Sequence, residues 1–485
     1  MSDMLTRDEL TMNAMYIGGK WQRASQEFAV HNPANGEQIA RVASGTAEDV
    51  TAAIDAAHRA FKSWRECTCE QRSKKLREWF DAIMAHQQPL AEIMTLEQGK
   101  PVKEAAGEIA YGAGFVEWFA EEAKRIRGDI LPMVKAHQEN RVIKQPVGVV
   151  GCITPWNFPN AMITRKVAPA LAAGCTVVIK PPSLTPLSAL ALGVLAEKVG
   201  IPAGVINIVP TDDAKSFSET LCADARVKKL SFTGSTKVGQ TLFKLSSENI
   251  IKMSLELGGN APFIVFDDAD LDLAVDQLMA AKFRNAGQTC ISANRVLVQA
   301  SVHDAFVQKV KTAMEALTVG DGMSDDTDIG PLINLDAVNK AHQLVDQAET
   351  AGARCEIRGG QVDYLGELFY RPVLVTGVTA EMDISKTEIF APVVAIQSFT
   401  DEAEAIELAN DTPFGLAAYF CAASPDRIHR VSHALEAGLI GINAGAISHY
   451  LNPFGGFKQS GIGREGSHYG IDEYLEVKTL IQGGL

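Results

Sequence analysis

The chain has 485 residues, a net charge of −14, 46% hydrophobic and 21% charged residues. Its length exceeds what one core supports and predicts two large domains, or one with satellites. The composition is that of a globular protein, and the negative charge disfavours non-specific contact with nucleic acid or anionic lipid. An acidic substrate would therefore have to be held by local arginines.

The N-terminal stretch carries Asp3, Arg7, Asp8 and Glu9 and has no apolar core, so no signal peptide is expected. No run of about 18 apolar residues predicts a membrane span. Eight scattered cysteines without a C-x-x-C pair or a histidine-rich cluster fit a reducing, cytoplasmic setting and predict no metal site. Spaced apolar residues then predict helices over 47–63 and 69–86, followed by one long helical pattern over 90–127. From 147 the pattern alternates. Strands are expected at 147–153, 176–180, 205–209, 229–232 and 251–255, with helices at 161–173, 186–199 and 237–246 between them. That alternation predicts βαβ units and a parallel sheet with its ligand loops at one edge. A second α/β run is expected beyond 261, with helices at 271–284, 302–317, 337–351 and 403–410 and a strand at 296–298. The terminal residues 474–481 read as a strand leaving the body, with no evident partner in its own sheet, which predicts pairing with a neighbouring subunit.

The most informative segment is Phe283-Arg284-Asn285-Ala286-Gly287-Gln288-Thr289-Cys290. A thiol after a polar, glycine-containing turn sits at an element boundary, where free N–H groups can hold a developing oxyanion. An inert buried cysteine is the commoner fate, but Leu255-Glu256-Leu257-Gly258-Gly259-Asn260 and Pro155-Trp156-Asn157-Phe158-Pro159 weigh against it. Gly234-Ser235-Thr236-Lys237-Val238-Gly239-Gln240-Thr241 follows a strand and opens a helix. Gln240 replaces the phosphate lysine of an NTPase loop, so the segment offers N–H groups to a pyrophosphate without being one. Lys180-Pro181-Pro182-Ser183 ends a buried strand with a lysine suited to an anion or a diol. Gly461-Ile462-Gly463-Arg464-Glu465-Gly466 matches G-x-G-x-x-G but follows a polar turn, so it is assigned to a surface loop.

Together these segments resemble the aldehyde dehydrogenase superfamily over nearly the whole chain, from Tyr16 to Tyr474. Phe232-Thr233-Gly234-Ser235, Glu388-Ile389-Phe390-Ala391-Pro392 and Pro453-Phe454-Gly455-Gly456 complete the motif set. The resemblance implies an α/β fold: a Rossmann-type cofactor domain (1–127 and 148–257), an α/β catalytic domain (258–470) and a small β oligomerisation extension (128–147 and 471–485). It implies Cys290 as nucleophile, Asn157 with the Cys290 N–H as oxyanion donors, and Glu256 as the base that hydrolyses a thioester. NADP or NAD, with NADP favoured, is expected against Ile153, Thr154, Pro155, Trp156 and Asn157, then Lys180, Pro181, Pro182 and Ser183, then Gly234, Ser235 and Leu257, and finally Glu388 and Phe390. Relatives that prefer NAD commonly carry an acid at the Ser183 position. The chain is most similar to succinate semialdehyde dehydrogenases, whose carboxylate clamp corresponds to Arg165, Arg284 and Ser448. That implies a small anionic aldehyde as substrate and a homo-oligomer, a dimer or tetramer, as assembly. Glutarate semialdehyde is the alternative substrate, and a non-catalytic binding protein on the same fold is the alternative class. Ser292 replaces the second cysteine of many relatives, and His449-Tyr450-Leu451-Asn452 departs from the usual loop.

Overall fold

Five strands form the parallel centre of one sheet in a computed structural model that describes residues 4–362 and 364–484. Asp3, the first residues of the expected cofactor domain and residue 485 of the expected extension lie outside the described residues. Across this sheet run Ile206–Ile208, Thr176–Lys180, Val149–Ile153, Val227–Thr233 and Lys252–Glu256, all parallel to their neighbours. Numbered along the chain, that order is 3-2-1-4-5. The winding reverses between Val149–Ile153 and Val227–Thr233, and ligands bind outside the carboxyl ends of strands at such a reversal. The loops leaving these two strands are Thr154–Pro159 and Gly234–Ser235. Both faces are buried, which is why Val149–Ile153 and Thr176–Lys180 read as unbroken apolar runs rather than alternations.

The second sheet is also mostly parallel. Its centre is Val393–Phe399, Ala293–Gln299 and Ala261–Val265, flanked by Ala417–Cys421 and Leu439–Ile442 on one side and Val373–Thr376 on the other. Ala293–Gln299 begins three residues after Cys290, so the thiol sits in the turn that enters a central strand. The short strand expected at 296–298 is thus the middle of a seven-residue one.

Three expectations need correction, and one region went unread. The helical pattern over 90–127 is two helices, Gln87–Gln98 and Val102–Glu122, followed by a 3₁₀ turn. Gly99, at φ +93°, takes the left-handed conformation that ends the first, and Pro101 opens the second. Secondly, the terminal strand does have a partner in its own chain. Leu475–Gly483 pairs antiparallel with Gln138–Pro146, a strand not read from the sequence, and Asp129–Leu131 completes a three-stranded sheet. Thirdly, 461–466 is not a surface loop. Gly461–Ile462 is an edge strand of the cofactor-side sheet, paired antiparallel with Leu255 and Glu256, although the expected catalytic part runs to 470. Gly461 takes φ +146°, and a Cβ there would lie 1.9 Å from Leu255 O, so only glycine lets the strand approach. Glu465 is buried. Finally, the N-terminal strands Met15–Ile17, Lys20–Gln22, Glu27–His31 and Gln38–Ala43 were too short and mixed in pattern to be legible.

Among the described residues, no helix is long and apolar enough to cross a membrane.

Candidate active site

The carboxyl ends of the first sheet and the amino ends of the second meet across a cavity of about 340 Å³. Asn157, Cys290, Glu388 and Phe390 line it, with Pro155, Trp156, Gly234, Ser235 and Leu257 among the other expected cofactor contacts. Ile153 and Thr154 lie behind this wall. Thr154 N–H donates to Lys180 O at 3.3 Å, joining the two strand ends.

The approach to Cys290 is conformationally unusual. Asn285 and Ala286 adopt left-handed backbone at φ +53° and +56°, and Gly287 follows at +75°. Two non-glycine residues in that region cost about 1–3 kcal/mol each, so the surroundings must hold them. Glu104 Oε2 accepts from Asn285 N–H at 2.8 Å and Gln98 Nε2 donates to Asn285 Oδ1 at 2.9 Å. The resulting turn brings Gln288 O to Asn157, whose Nδ2 donates to it at 2.9 Å. An amide NH₂ has two donors, so one N–H of Asn157 remains. The Cys290 N–H makes no hydrogen bond among the described residues.

The Cys290 side chain is half-buried and opens onto the cavity. Desolvation by the cleft walls, with Glu388 next, pushes its thiol up to about 12, and Arg165 only partly offsets this. In the absence of ligand it is a thiol, not a thiolate.

Glu256 ends strand Lys252–Glu256 with 2% of its surface exposed, and neither carboxylate oxygen has a hydrogen-bond partner. Burial, then the neighbouring Glu465, push its pKa well above the ordinary carboxylate value, against the pull of Arg165 and Lys166. Glu465 goes the other way. Burial alone would raise it, but Lys166 at 2.5 Å and Arg165 at 2.7 Å hold it ionised. Two carboxylates sharing one buried site cannot both ionise cheaply, and the one holding the cations keeps the charge.

Arg165 is therefore not a free cation. It is 1% exposed, with Nε against Glu465 and its guanidinium 4.1 Å from the Phe454 ring. Its Nη2 has no hydrogen-bond partner. Arg284 differs: it is exposed, forms no ion pair among the described residues and lies 5.0 Å from the Phe158 ring. It lines a second, adjoining cavity of about 280 Å³ with Lys100, Glu108, Tyr111 and Phe158. Ser448 Oγ lies 2.5 Å from Tyr111 OH. Tyr111 went unread because it falls in a helical pattern that looked like packing alone.

The cofactor side fits a dinucleotide. Thr154, Thr233 and Thr236 have buried hydroxyls without partners. A Cβ on Gly234 would lie 2.5 Å from the Phe232 ring, so glycine lets this loop pack against that ring. Ser235 caps helix Thr236–Ser246. Phe390, at φ +61°, packs edge-on to Trp156 at 5.8 Å. Glu388 accepts from Gly259 N–H at 3.1 Å, and burial lifts it to about 7. Lys340, which the sequence reading missed on its helix, donates to Glu388 O at 2.6 Å and lines the cavity. Lys180 lies off the cavity wall, beside Pro181 and Pro182. It is buried, with its pKa brought down to about 8 by desolvation, and donates only to Pro181 O. Ser183 is half-buried nearby. Ser292 is buried and donates to Lys282 O at 3.4 Å.

A doubly wound sheet whose switch point opens on a thiol is the architecture of a dehydrogenase. The chain belongs to the aldehyde dehydrogenase family, which matches residues 21–480. It is 52% identical to the NADP(+) succinate-semialdehyde dehydrogenase GabD of Escherichia coli, over 96% of this chain and 97% of that one. It is 51% identical to a glutarate-semialdehyde dehydrogenase of Pseudomonas aeruginosa, covering 97% of each. The crystal structure of a succinate-semialdehyde dehydrogenase from Burkholderia pseudomallei superposes with a TM-score of 0.97 at 49% identity, covering 100% of both chains. The protein is an aldehyde dehydrogenase.

Because the free thiol is protonated, alkylation of Cys290 by iodoacetamide in cofactor-free protein should accelerate steadily from about pH 6 to about pH 9. Peptide mass spectrometry resolves this site from the other cysteines. A rate that levels off below about pH 8 would show a preformed thiolate and contradict the electrostatics.

Proposed function

We propose that the protein oxidises succinate semialdehyde to succinate with reduction of NADP, or less readily of NAD. The observation that carries the substrate is Arg284, an unpaired guanidinium facing a cavity that adjoins the one holding Cys290. In a chain of charge −14 an unpaired arginine beside the thiol is an anion site. Arg165 contributes its free Nη2 edge and Ser448 its hydroxyl. The high similarity to proteins named for two different semialdehydes supports the class. Glutarate semialdehyde stays the second reading, since one methylene is worth only about 1–3 kcal/mol.

The residues divide the work as follows. Cys290 Sγ bonds to the aldehyde carbon as the C=O π bond opens, and its proton passes to solvent water in the open cleft. The carbonyl oxygen takes up negative charge and accepts from the remaining Asn157 N–H and the Cys290 N–H. Bound nicotinamide dinucleotide supplies the hydride acceptor. Loss of hydride from the thiohemiacetal carbon leaves a thioester on Cys290. Glu256 takes a proton from water, whose oxygen bonds to the thioester carbon as the C–S bond breaks, and the proton passes on to the departing sulfur, giving the acid and the free thiol. A carboxylate with a raised pKa suits this step, because its basicity is closer to that needed at neutral pH. Lys180 and Glu388 are assigned to the ribose hydroxyls, Phe390 to the nicotinamide ribose, and Gly234 with Ser235 to the pyrophosphate. The uncharged Ser183 leaves room for a 2′-phosphate.

The apolar side chains Ile130, Val477 and Ile481 are exposed on the three-stranded sheet, and Leu475–Gly483 leaves its outer edge unpaired. We therefore assign this sheet to a homo-oligomer contact, a dimer or dimer of dimers. Light scattering at micromolar concentration should give a multiple of the 52.1 kDa chain, and a monomer would refute the assignment.

Arg284→Ala should lower kcat/KM for succinate semialdehyde by about ten- to a hundredfold while leaving a neutral aldehyde such as butanal nearly unaffected. Equal losses on both would mean that Arg284 supports the loop and does not read the carboxylate. Ser183→Glu places a carboxylate where a 2′-phosphate would lie and should shift preference from NADP toward NAD, read as the ratio of the two kcat/KM values. An unchanged ratio would remove Ser183 from cofactor selection.

A further inference from the structure

The ion pair between Lys100 and Glu108 takes no part in the chemistry described above, yet each side chain is only 1% exposed and the N–O distance is 2.5 Å. Buried pairs of this kind add little stability compared with apolar packing, so a positioning role is the question to ask of it. Lys100 lies in the break between helices Gln87–Gln98 and Val102–Glu122, and Glu108 lies two turns further on. An ammonium has three donors. One meets Glu108 Oε2, the second donates to Asn157 O at 2.8 Å, and the Phe158 ring centre lies 4.0 Å from Nζ. The other Glu108 oxygen accepts from Asn160 N–H at 3.0 Å and Ala161 N–H at 3.1 Å. The pair thus grips the segment 157–161 through one carbonyl, one ring and two N–H groups.

The Asn157 carbonyl also accepts from Asn285 Nδ2 at 2.9 Å. Asn285 is the left-handed residue of the catalytic loop, and Gln98, whose own Oε1 accepts from Lys100 N–H at 3.0 Å, holds its side chain. Both lone pairs of one buried carbonyl are used, one by the helical layer and one by the thiol loop. Fixing that carbonyl fixes the peptide plane that follows Asn157 Cα, from which Nδ2 is aimed.

We infer that Lys100 is a positioning residue for the oxyanion site. Held by Glu108, it pins the Asn157 carbonyl and so sets the direction in which the Asn157 amide donates to the reacting oxygen. The inference rests on the reading of Asn157 as an oxyanion donor.

The test is stopped-flow measurement of the first hydride transfer to NADP with butanal, which is independent of any carboxylate contact. Lys100→Met combined with Glu108→Gln removes both charges together and leaves no buried charge alone. Lys100→Arg keeps the charge and the ion pair, but its planar fork cannot reach three partners as a point ammonium does. Each folded variant should bind NADP with parental affinity and form the first NADPH about ten- to a hundredfold more slowly per titrated active site. In an Asn157→Ala background the same changes should slow it by less than about threefold further, because the effect passes through Asn157. Parental burst rates in either folded variant, or losses that simply multiply with Asn157→Ala, would overturn the inference while leaving the oxyanion reading intact. An unchanged burst rate in Asn157→Ala alone would overturn both.

Discussion

The hydrogen bond from Asn157 Nδ2 to Gln288 O, 2.9 Å long, ties the loop after the central cofactor-side strand to the loop that carries the thiol. The two sheets have separate cores and share no strand pairing. The carboxyl ends of the first and the amino ends of the second must nonetheless keep a fixed geometry for the cleft to work. This bond, with the Asn285 contact to Asn157 O, supplies that registration. It also explains why Asn285 and Ala286 tolerate left-handed backbone. The strain is confined to the few residues that must turn Gln288 O toward Asn157, and Glu104 and Gln98 hold it from outside.

The electrostatics follow from the same closure. Burial raises both Cys290 and Glu256, and with the thiol pushed up to about 12 it stays protonated in the free protein. Glu465 takes the cations Arg165 and Lys166 for itself. The charge near the thiol is thereby arranged as a carboxyl with a raised pKa beside a compensated ion cluster. Such a site stores little unbalanced charge until a ligand arrives, and the half-exposed thiol opens directly onto the space the ligand fills.

Much of this was legible in the chain. Cys290, Glu256 and Asn157 stand in short motifs whose residue types have a chemical reason, and Ala161–Ala173 and Thr176–Lys180 were read to the residue because Gly174 ends the helix and Pro181-Pro182 ends the strand. Other elements were misread for physical reasons. The terminal strand looked unpartnered because its partner, Gln138–Pro146, is polar and lies over 300 residues away. Glu465 looked like loop charge because burial of a carboxylate makes sense only once Arg165 and Lys166 are beside it. Gly99–Pro101 was passed over as a helical interruption, although that break is what points Lys100 inward.

By itself the sequence determined the strand–helix alternation and the parallel sheet and singled out the candidate reacting groups, because periodicity and motif chemistry are local properties. Only the tertiary structure decided how those groups behave. It paired Arg165 with Glu465 and left Arg284 facing an open cavity, two outcomes that identical side chains cannot announce in advance. It also raised the pKa of Cys290 and of Glu256, since desolvation and neighbouring charge depend on residues brought together from opposite ends of the chain.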